Sequence, residues 1–349
     1  MVMKATLYPI YWLADTITYD VPFNRGVLPF QIIDEVAIED VSPMFNDGTF
    51  AWVTNEYLST NDLKDLRAVR YALVHRYETD GVHDGEADDV SEKLVKNLVA
   101  CLRLIRPMRQ RALLMRGDMN ADGTINVRHF VHPINLLEVP EVQKLFMLRD
   151  CDAEMLREVS PEFLRGMNGE FWKFRMAVEF HEAGHFQDLY WKARYLLWCS
   201  ALESIYTSND SEHRGSPVAK ERIKWFLGDN TSIYETGDIP SFMQQKIITI
   251  SQIIDDVYRV RNFIAHGDRI PDEYFQRTLH SGLNGGLNVL QVLLEGVSFI
   301  VRKSLLRIIQ DELLNHFANP EAAEIYFADA DLTLSRIRAR LRQPEVDAE

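Results

Sequence analysis

Apolar residues in the second half of the chain recur at the spacing of an amphipathic helix. Within residues 242–265 they stand close to the i, i+3, i+4 positions of one helix face, namely at Ile247, Ile250, Ile253, Ile254, Val257, Phe263 and Ile264. Pro240 and Ser241 precede this pattern, and Gly267 follows it. We therefore predict a helix that opens at Pro240 and Ser241 and ends at about His266.

Further helical patterns fill the rest of this half. Residues 171–206 contain no proline, and the stretch from His185 onward is predicted to be uninterrupted helix. Two more helices are predicted at residues 287–317 and 322–341. Helices alone account for the pattern after residue 169. The expected structure there is an all-α bundle.

The first half of the chain has a different pattern, in which short β-branched or aromatic runs alternate with turn residues and two helical stretches. The predicted elements are strands at residues 5–13, 27–38, 49–54 and 127–137, and helices at residues 61–73 and 91–115, with an acidic link at residues 80–89. These elements predict an α+β N-terminal domain over residues 1–168, followed by an all-α domain over residues 169–349.

The composition indicates an acidic globular protein. With 349 residues, of which 46% are hydrophobic, the chain can bury sizeable cores. Its formal net charge is −14, from 38 basic and 52 acidic residues. Broad nonspecific binding to nucleic acid requires the neutralisation of many phosphates, so this charge argues against it. Any contact with RNA is expected to be local, and DNA is not expected as a partner.

The sequence does not predict a membrane protein. The longest apolar stretch, residues 287–301, is interrupted by polar residues and is too short to span a bilayer. We expect a soluble, cytoplasmic protein without a secretory signal. The three cysteines, Cys101, Cys151 and Cys199, are widely spaced and odd in number, which favours buried free thiols over a disulfide framework or a zinc ribbon.

Several arginines follow one another along the second predicted helix of the N-terminal domain: Arg103, Arg106, Arg109, Arg111 and Arg116. They are compatible with an RNA-facing stripe. Their spacing, with Pro107 interrupting, fits a solvated helix face equally well, and we favour the solvated face.

The stretch from Asp118 to Ile125 copies the first eight positions of a calcium-binding EF-hand loop. The twelfth position, however, is His129, where the loop requires a bidentate Glu. A polar turn between two strands is the better interpretation, and calcium is not predicted.

Arg261 and His266 stand five residues apart at the predicted end of the first helix described above. A protonated imidazole is favoured at the negative end of a helix dipole, and Asn262, one turn earlier, can hydrogen-bond the ring and fix its tautomer. On an ideal helix Arg261 and His266 point about 140° apart. Convergence therefore requires the long arginine side chain, a frayed last turn or a second copy of the helix, which a two-fold dimer would supply.

The run from Arg261 to His266, R-N-F-I-A-H, resembles the R-x4-6-H motif of HEPN domains. The similarity extends upstream in the same order of blocks: Ala201-Leu202-Glu203 closes a long helix, Arg222-Ile223-Lys224-Trp225-Phe226-Leu227-Gly228 follows, and Tyr258 lies three residues before the arginine. This order is similar to that of the Apea-like HEPN group in particular, over about residues 171–317.

The resemblance implies an α-helical bundle that dimerises about the motif and often acts as a metal-independent endoribonuclease, without a cofactor. In this resemblance His266 transfers a proton at the RNA 2′-hydroxyl or at the leaving oxygen. Arg261 binds the scissile phosphate and stabilises its developing charge. Asn262 would position one of them, with Tyr258 and Glu203 in support. A prokaryotic stress or phage-defence role follows by analogy. The alternative is a non-catalytic HEPN module that binds RNA or protein.

The stretch His181-Glu182-Ala183-Gly184-His185 is a literal H-E-x-x-H, which on a helix places two imidazoles on one face with Glu182 as a general base. The downstream candidate for a third zinc ligand is Glu203. In an uninterrupted helix Glu203 would lie ~27 Å from His185, far outside coordination distance. Unless the chain turns near Gly184 the site cannot close, so no metal is predicted, and a zinc hydrolase is the third interpretation.

Overall fold

The structure is a computed structural model that describes residues 1–10, 28–46, 49–50, 66, 69–81, 84–106, 112–134, 150–185, 189–208, 215–233, 248–280 and 287–342. The chain divides into two compact units, one within Met1–Leu164 and the other formed by Arg165–His185 and Leu189–Glu349. The first contains an antiparallel sheet and the second is mostly helical.

Six described strands form one antiparallel sheet in the first unit, in the order β2-β3-β4-β1-β5-β6. They are β1 (Val2–Ile10), β2 (Phe30–Ile33), β3 (Val36–Asp40), β4 (Tyr71–Thr79), β5 (Ala112–Met119) and β6 (Ile125–Ile134). Helix α1 (Asp84–Ile105) packs against β1 and β4, and helix α2 (Asp150–Asn168) follows β6 along the chain. The sheet thus joins two local pairs, β2-β3 and β5-β6, through strands that lie far apart in sequence.

Alternate residues of a strand point to opposite sides of a sheet. The central strand β1 is buried on both of these sides. Ala5 and Leu7 contribute to an apolar cluster on one face. On the other face Thr6 accepts a hydrogen bond of 2.7 Å from Ser91 of α1, and Lys4 forms an ion pair with Asp88 at 3.3 Å. Helix α1 therefore covers the sheet through a paired polar layer, in which each buried polar group named here has a partner.

Two predicted helices of this unit have different boundaries in the structure. The pattern predicted to be helical from residue 61 reaches Leu73, but Leu73 lies in β4, opposite Tyr8 of β1. The helix predicted from Ser91 to Met115 instead begins at Asp84, inside the predicted acidic link, and ends at Ile105. A short apolar run fits both the period of a helix and that of a strand, and only cross-strand pairing decides which of the two forms.

The described arginines of the series, Arg103, Arg106 and Arg116, form neither a solvated face nor an exposed stripe. Arg103 and Arg106 are buried, and Arg106 forms an ion pair with Asp152 at 3.3 Å. Arg116 lies on β5 and contacts Asp88 at 3.3 Å. Arg109 and Arg111 lie outside the described residues. The described members of the series hold the unit together.

The predicted polar turn between strands is confirmed. The stretch from Asp118 to Ile125 connects β5 to β6, and the backbone N–H of Asn120 donates to the Thr124 carbonyl at 2.8 Å. Gly123 has a φ of 84°, which glycine tolerates without steric cost. The resemblance to a calcium loop therefore comes from turn residues.

The described helices of the second unit, after the end of α2, are α3 (Trp172–Ala183), α4 (Trp191–Tyr206), α5 (Ser216–Leu227), α6 (Ile250–His266), α7 (Glu273–Gln276), α8 (Val289–Gln310) and α9 (Pro320–Arg342). Helix α8 is central, because it packs against each of α3 to α7. The short strands Thr278–His280 (β7) and Leu287–Asn288 (β8) form a two-stranded ribbon before it. Among the described residues, no helix is long and apolar enough to cross a membrane.

Two helix boundaries in this unit also differ from the predictions. The helix predicted to run without interruption from His185 is wrong at its start, because α3 ends at Ala183 and α4 begins only at Trp191. Helix α6 begins only at Ile250, where Thr249 and Gln252 form a capping box. The predicted start at Pro240 lies outside the described residues, and Thr249 itself has extended backbone.

Candidate functional site

The last turn of α6 presents the residues of the predicted motif. The helix buries its apolar face as far as Tyr258 and Val260, after which Arg261 is half-buried while Asn262 and His266 are exposed. It ends at His266 as predicted, because Gly267 adopts a left-handed φ of 75°. The next N–H, that of Asp268, donates to the Phe263 carbonyl at 2.8 Å and closes the helix.

Arg261 pairs with Glu203 at the end of α4. Its Nη2 atom lies 3.0 Å from one carboxylate oxygen and 3.2 Å from the other. The two side chains are 30% and 32% exposed, so the ion pair is reached by solvent. Pairs of this kind contribute about 1 kcal/mol or less, and an incoming anion can replace the carboxylate at little cost.

The Arg261–Glu203 pair lines a cavity of about 400 Å³ within the helical unit. Among the described residues the lining consists of Glu203, Thr207, Ser208, Gly215, Ser216, Tyr258, Arg261 and Asn262. Hydroxyl groups, one guanidinium and one carboxylate thus dominate its surface. We call this space the Arg261 cavity.

Tyr258 lines the Arg261 cavity and carries a buried hydroxyl. The residue is only 2% exposed, and its hydroxyl has no hydrogen-bond partner among the described residues. Burial, followed by the neighbouring Cys199 and Glu203, raises the pKa of Tyr258 well above its ordinary value. The phenol therefore stays protonated and is available as a donor.

The amino-terminal end of α5 also reaches the Arg261 cavity. Gly215 has a φ of 86° and turns the chain into the helix, with Ser216 at its first position and Pro217 immediately after. No acidic residue lies in the first turn, and no side chain of the described residues caps it. The free N–H groups and the helix dipole at such an end attract anions. The cavity thus combines two anion-attracting features, the Arg261 guanidinium and the amino-terminal end of α5, with one competing carboxylate.

His266 is not among the described residues that line the Arg261 cavity. This arrangement agrees with the separation of the two motif positions around an ideal helix. Asn262 differs from expectation, because its side-chain oxygen lies 3.3 Å from Arg261 Nη1 as an acceptor, and no described hydrogen bond joins it to the His266 ring. Both Asn262 and His266 are exposed, and water competes for such groups.

Two buried cations fix the helices that carry the site. Lys173 of α3 donates to the Ser204 carbonyl at 2.9 Å and to the Thr207 carbonyl at 2.6 Å, and so caps the end of α4. Desolvation lowers the pKa of Lys173 to about 8. Arg222 of α5 donates to the Tyr206 carbonyl at 3.0 Å and is fully buried.

Two carboxylates of α9 bind Arg222, the second of these buried cations. Arg222 forms ion pairs with Glu324 and with Asp331, the latter at 2.6 Å, and its guanidinium lies over the Phe327 ring at 5.0 Å. These contacts join α4, α5 and α9 around one guanidinium. The position of Glu203 beside Arg261 therefore depends on a rigid scaffold.

A second cluster lies where α3 ends, at the H-E-x-x-H stretch. His181 and His185 are buried with ring centroids 4.5 Å apart, and His181 Nδ1 lies 3.6 Å from a Glu182 oxygen. The prediction that no site can close here rested on an unbroken helix, which the structure contradicts. Glu203, the third ligand considered from the sequence, instead pairs with Arg261.

The sequence predicted part of this site. The structure brings Glu203, Tyr258, Arg261 and Asn262, four of the residues selected from the sequence, to one cavity. The contribution of the α5 terminus was missed, although Pro217 behind Ser216 is a recognised signal of a helix start. Lys173 was missed because no local pattern marks a capping contact between helices.

Comparison of the chain with protein-family models, with curated proteins and with solved structures finds no match. Function is therefore argued from the geometry of the Arg261 cavity and the motif at the end of α6.

Proposed function

We propose that this protein is a metal-independent endoribonuclease of HEPN type, with Arg261 as the phosphate-binding group and His266 as the acid/base. The observation that supports it best is the Arg261 cavity, where Arg261, Tyr258 and the amino-terminal end of α5 line one space. Together they suit an anion with several acceptor oxygens, such as an RNA phosphate.

Arg261 would bind the scissile phosphate in place of Glu203. A guanidinium can donate two parallel hydrogen bonds to two phosphate oxygens. The existing ion pair with one solvent-exposed carboxylate is weak and does not prevent this binding. As the phosphate becomes pentacoordinate it gains negative charge, and a preorganised cation stabilises that charge. Glu203 keeps Arg261 oriented toward the cavity before RNA arrives.

His266 would carry the proton. Without a metal-activated water, the RNA 2′-hydroxyl is the available nucleophile, and its attack on the adjacent phosphate leaves a 2′,3′-cyclic phosphate and a free 5′-hydroxyl. One imidazole can accept the 2′-hydroxyl proton or donate to the leaving 5′-oxygen, which contributes about 10²–10⁴-fold in rate. Its exposed position at the end of α6 leaves it accessible to a large substrate.

A second copy of the chain would complete the site. His266 lies outside the described lining of the Arg261 cavity, so a single α6 does not supply both groups to one phosphate. In a two-fold dimer formed about the ends of α6, His266 of one protomer faces the Arg261 of the other. We therefore propose a homodimer with RNA as its partner and a HEPN-type helical bundle, with the short β7-β8 ribbon added, as the fold of the mostly helical unit.

A non-catalytic HEPN module is the second candidate. It is favoured by the same separation of Arg261 from His266, since a protein that only binds RNA needs the cavity but not the imidazole. A zinc hydrolase is not retained, because His181 and His185 are buried and a hydrolytic metal must remain open to substrate.

The test is incubation of the purified chain with structured and unstructured RNAs in buffer without added divalent cations, followed by end-group analysis of the products. The wild type is expected to cut and to leave cyclic phosphate ends, whereas Arg261→Ala and His266→Ala should not cut. Asn262→Ala should retain more activity than either. RNA that is bound by the wild type but never cut would favour the binding module.

A further inference from the structure

We propose that His181, Glu182 and His185 form a structural binding site for one divalent transition-metal ion of the zinc type. One ligand atom from each residue lies within 4.8 Å of the other two. Zinc holds nitrogen and oxygen ligands at about 2.0–2.2 Å in a tetrahedron, so its ligand atoms stand about 3.4 Å apart. The observed set is close to that spacing, and side-chain adjustments of about an ångström would close it around an ion.

The hydrogen bonds of His185 fix the form of the ring that a metal requires. His185 Nδ1 lies 2.8 Å from the His181 carbonyl oxygen. Because a carbonyl can only accept, Nδ1 must carry the proton, and Nε2 keeps its lone pair. An N–H to carbonyl bond of this kind is the usual support of a metal-binding histidine, since it sets both tautomer and orientation.

The local fold brings the two rings together. Helix α3 ends at Ala183, and Gly184 then packs so closely on the Trp198 indole that any added Cβ would overlap it. Trp198 Nε1 also donates to the His181 carbonyl at 3.2 Å. The chain therefore turns between the two histidines, and the His185 ring meets the His181 ring edge-on.

Burial identifies the site as structural. His181 has no exposed surface and His185 only 7%, so a substrate has no approach to an ion held there. The Glu182 side chain is 22% exposed and gives the ion one contact with solvent. Imidazole with carboxylate suits Zn²⁺, and water can fill a fourth position. Among the described residues, no further histidine, cysteine, aspartate or glutamate belongs to this cluster.

The ion would fasten the end of α3 beside α4. Helix α4 carries Glu203, and α3 carries Lys173, which caps α4. The metal takes no part in RNA cleavage, so this inference stands or falls independently of the proposed function.

The test uses the full chain stripped of metal by dialysis against a chelator and then equilibrated with Zn²⁺ alone. Elemental analysis should find one equivalent of zinc per chain after further dialysis, and zinc should raise the melting temperature. His185→Ala and Glu182→Gln should lose that equivalent. The matched control His129→Ala, which removes an exposed histidine of β6, should keep it. Substoichiometric zinc in the wild type, or a full equivalent in His185→Ala, would overturn the proposal.

Folding failure of His185→Ala would not leave the question open. Glu182 is partly exposed, so Glu182→Gln should remain folded by circular dichroism and should bind zinc at least about tenfold more weakly, the cost of losing even a supporting group. Co²⁺ in place of zinc should give the wild type the intense visible bands of a four-coordinate nitrogen and oxygen site. Unchanged zinc affinity in folded Glu182→Gln, or a purely six-coordinate Co²⁺ spectrum, would count against it.

Discussion

Arg261 of α6 and Glu203 of α4 form an ion pair whose closest atoms are 3.0 Å apart, at the surface of the Arg261 cavity. The two residues are 58 positions apart in sequence. Their ion pair joins helix α6, which carries the motif, to helix α4. In the proposed mechanism Glu203 occupies the position that an RNA phosphate takes. The carboxylate is therefore both an orienting group and a competitor.

Glu203→Gln should tighten RNA binding. The amide keeps the shape of the side chain but no longer competes as an anion, and an exposed pair of this strength corresponds to a gain of up to about fivefold in affinity. Fluorescence anisotropy with labelled single-stranded RNA measures it. Asp118→Asn is the control, because it changes the net charge equally and breaks the exposed pair with Arg128. Equal gains from both variants would show a general charge effect.

Tyr258→Phe should lower activity without lowering stability. The hydroxyl has no described partner, so its removal costs the folded protein nothing, whereas a hydrogen bond to a charged phosphate is worth about tenfold or more in kcat/KM. Tyr195→Phe provides the contrast, since the Tyr195 hydroxyl donates to the Val257 carbonyl at 3.0 Å. That variant should lower the melting temperature. A fall in the melting temperature of Tyr258→Phe would mean that its hydroxyl is structural.

Arg222→Met should destabilise the helical unit strongly. It leaves Glu324, Asp331 and the Tyr206 carbonyl without their shared partner, and breaking a buried ion pair from one side costs about 3–5 kcal/mol. Urea unfolding measures the change. Lys224→Met on the same helix removes a partly exposed pair with Glu221, and its effect should stay below about 1 kcal/mol. Similar losses in the two variants would contradict the anchoring role.

Lys173 should make stability rise with pH. Its pKa is about 8 in the folded protein and near 10.5 when unfolded, so the unfolded chain binds more protons between these values. The free energy of unfolding of the wild type, relative to Lys173→Met, should therefore increase from pH 8 to pH 10.5. Below pH 8 the difference should be constant. Lys96→Met, at an exposed lysine of α1, should show no such slope. A flat difference for Lys173→Met would contradict the assigned burial.

The parts of the structure that the sequence predicted are those with local causes. The end of α6 follows from Gly267, which tolerates the left-handed conformation that closes a helix. The hairpin between β5 and β6 follows from the turn residues around Gly123. In both cases a few neighbouring residues decide the backbone. The coarse order, an antiparallel sheet region followed by a mostly helical part, follows from periodicity.

The parts that were missed depend on contacts between distant segments. The break after Ala183 is fixed by Trp198 against Gly184, and no proline announces it. Leu73 lies in a strand because Tyr8 and Ile38 lie opposite it. The approach of α5 to Arg261 likewise depends on Arg222 and the carboxylates of α9. Such pairings override local propensity.

A complementation assay tests the central claim most directly, that Arg261 and His266 of two protomers share one ribonuclease site. Arg261→Ala and His266→Ala should each be inactive alone, whereas a mixed dimer should hold one site with both native residues. Random mixing should therefore restore about a quarter of wild-type cleavage, because half of the dimers are mixed and each has one intact site of two. The products should carry 2′,3′-cyclic phosphate ends. No restored cleavage from variants shown to exchange subunits, or a wild-type enzyme that cuts RNA as a monomer, would contradict the account.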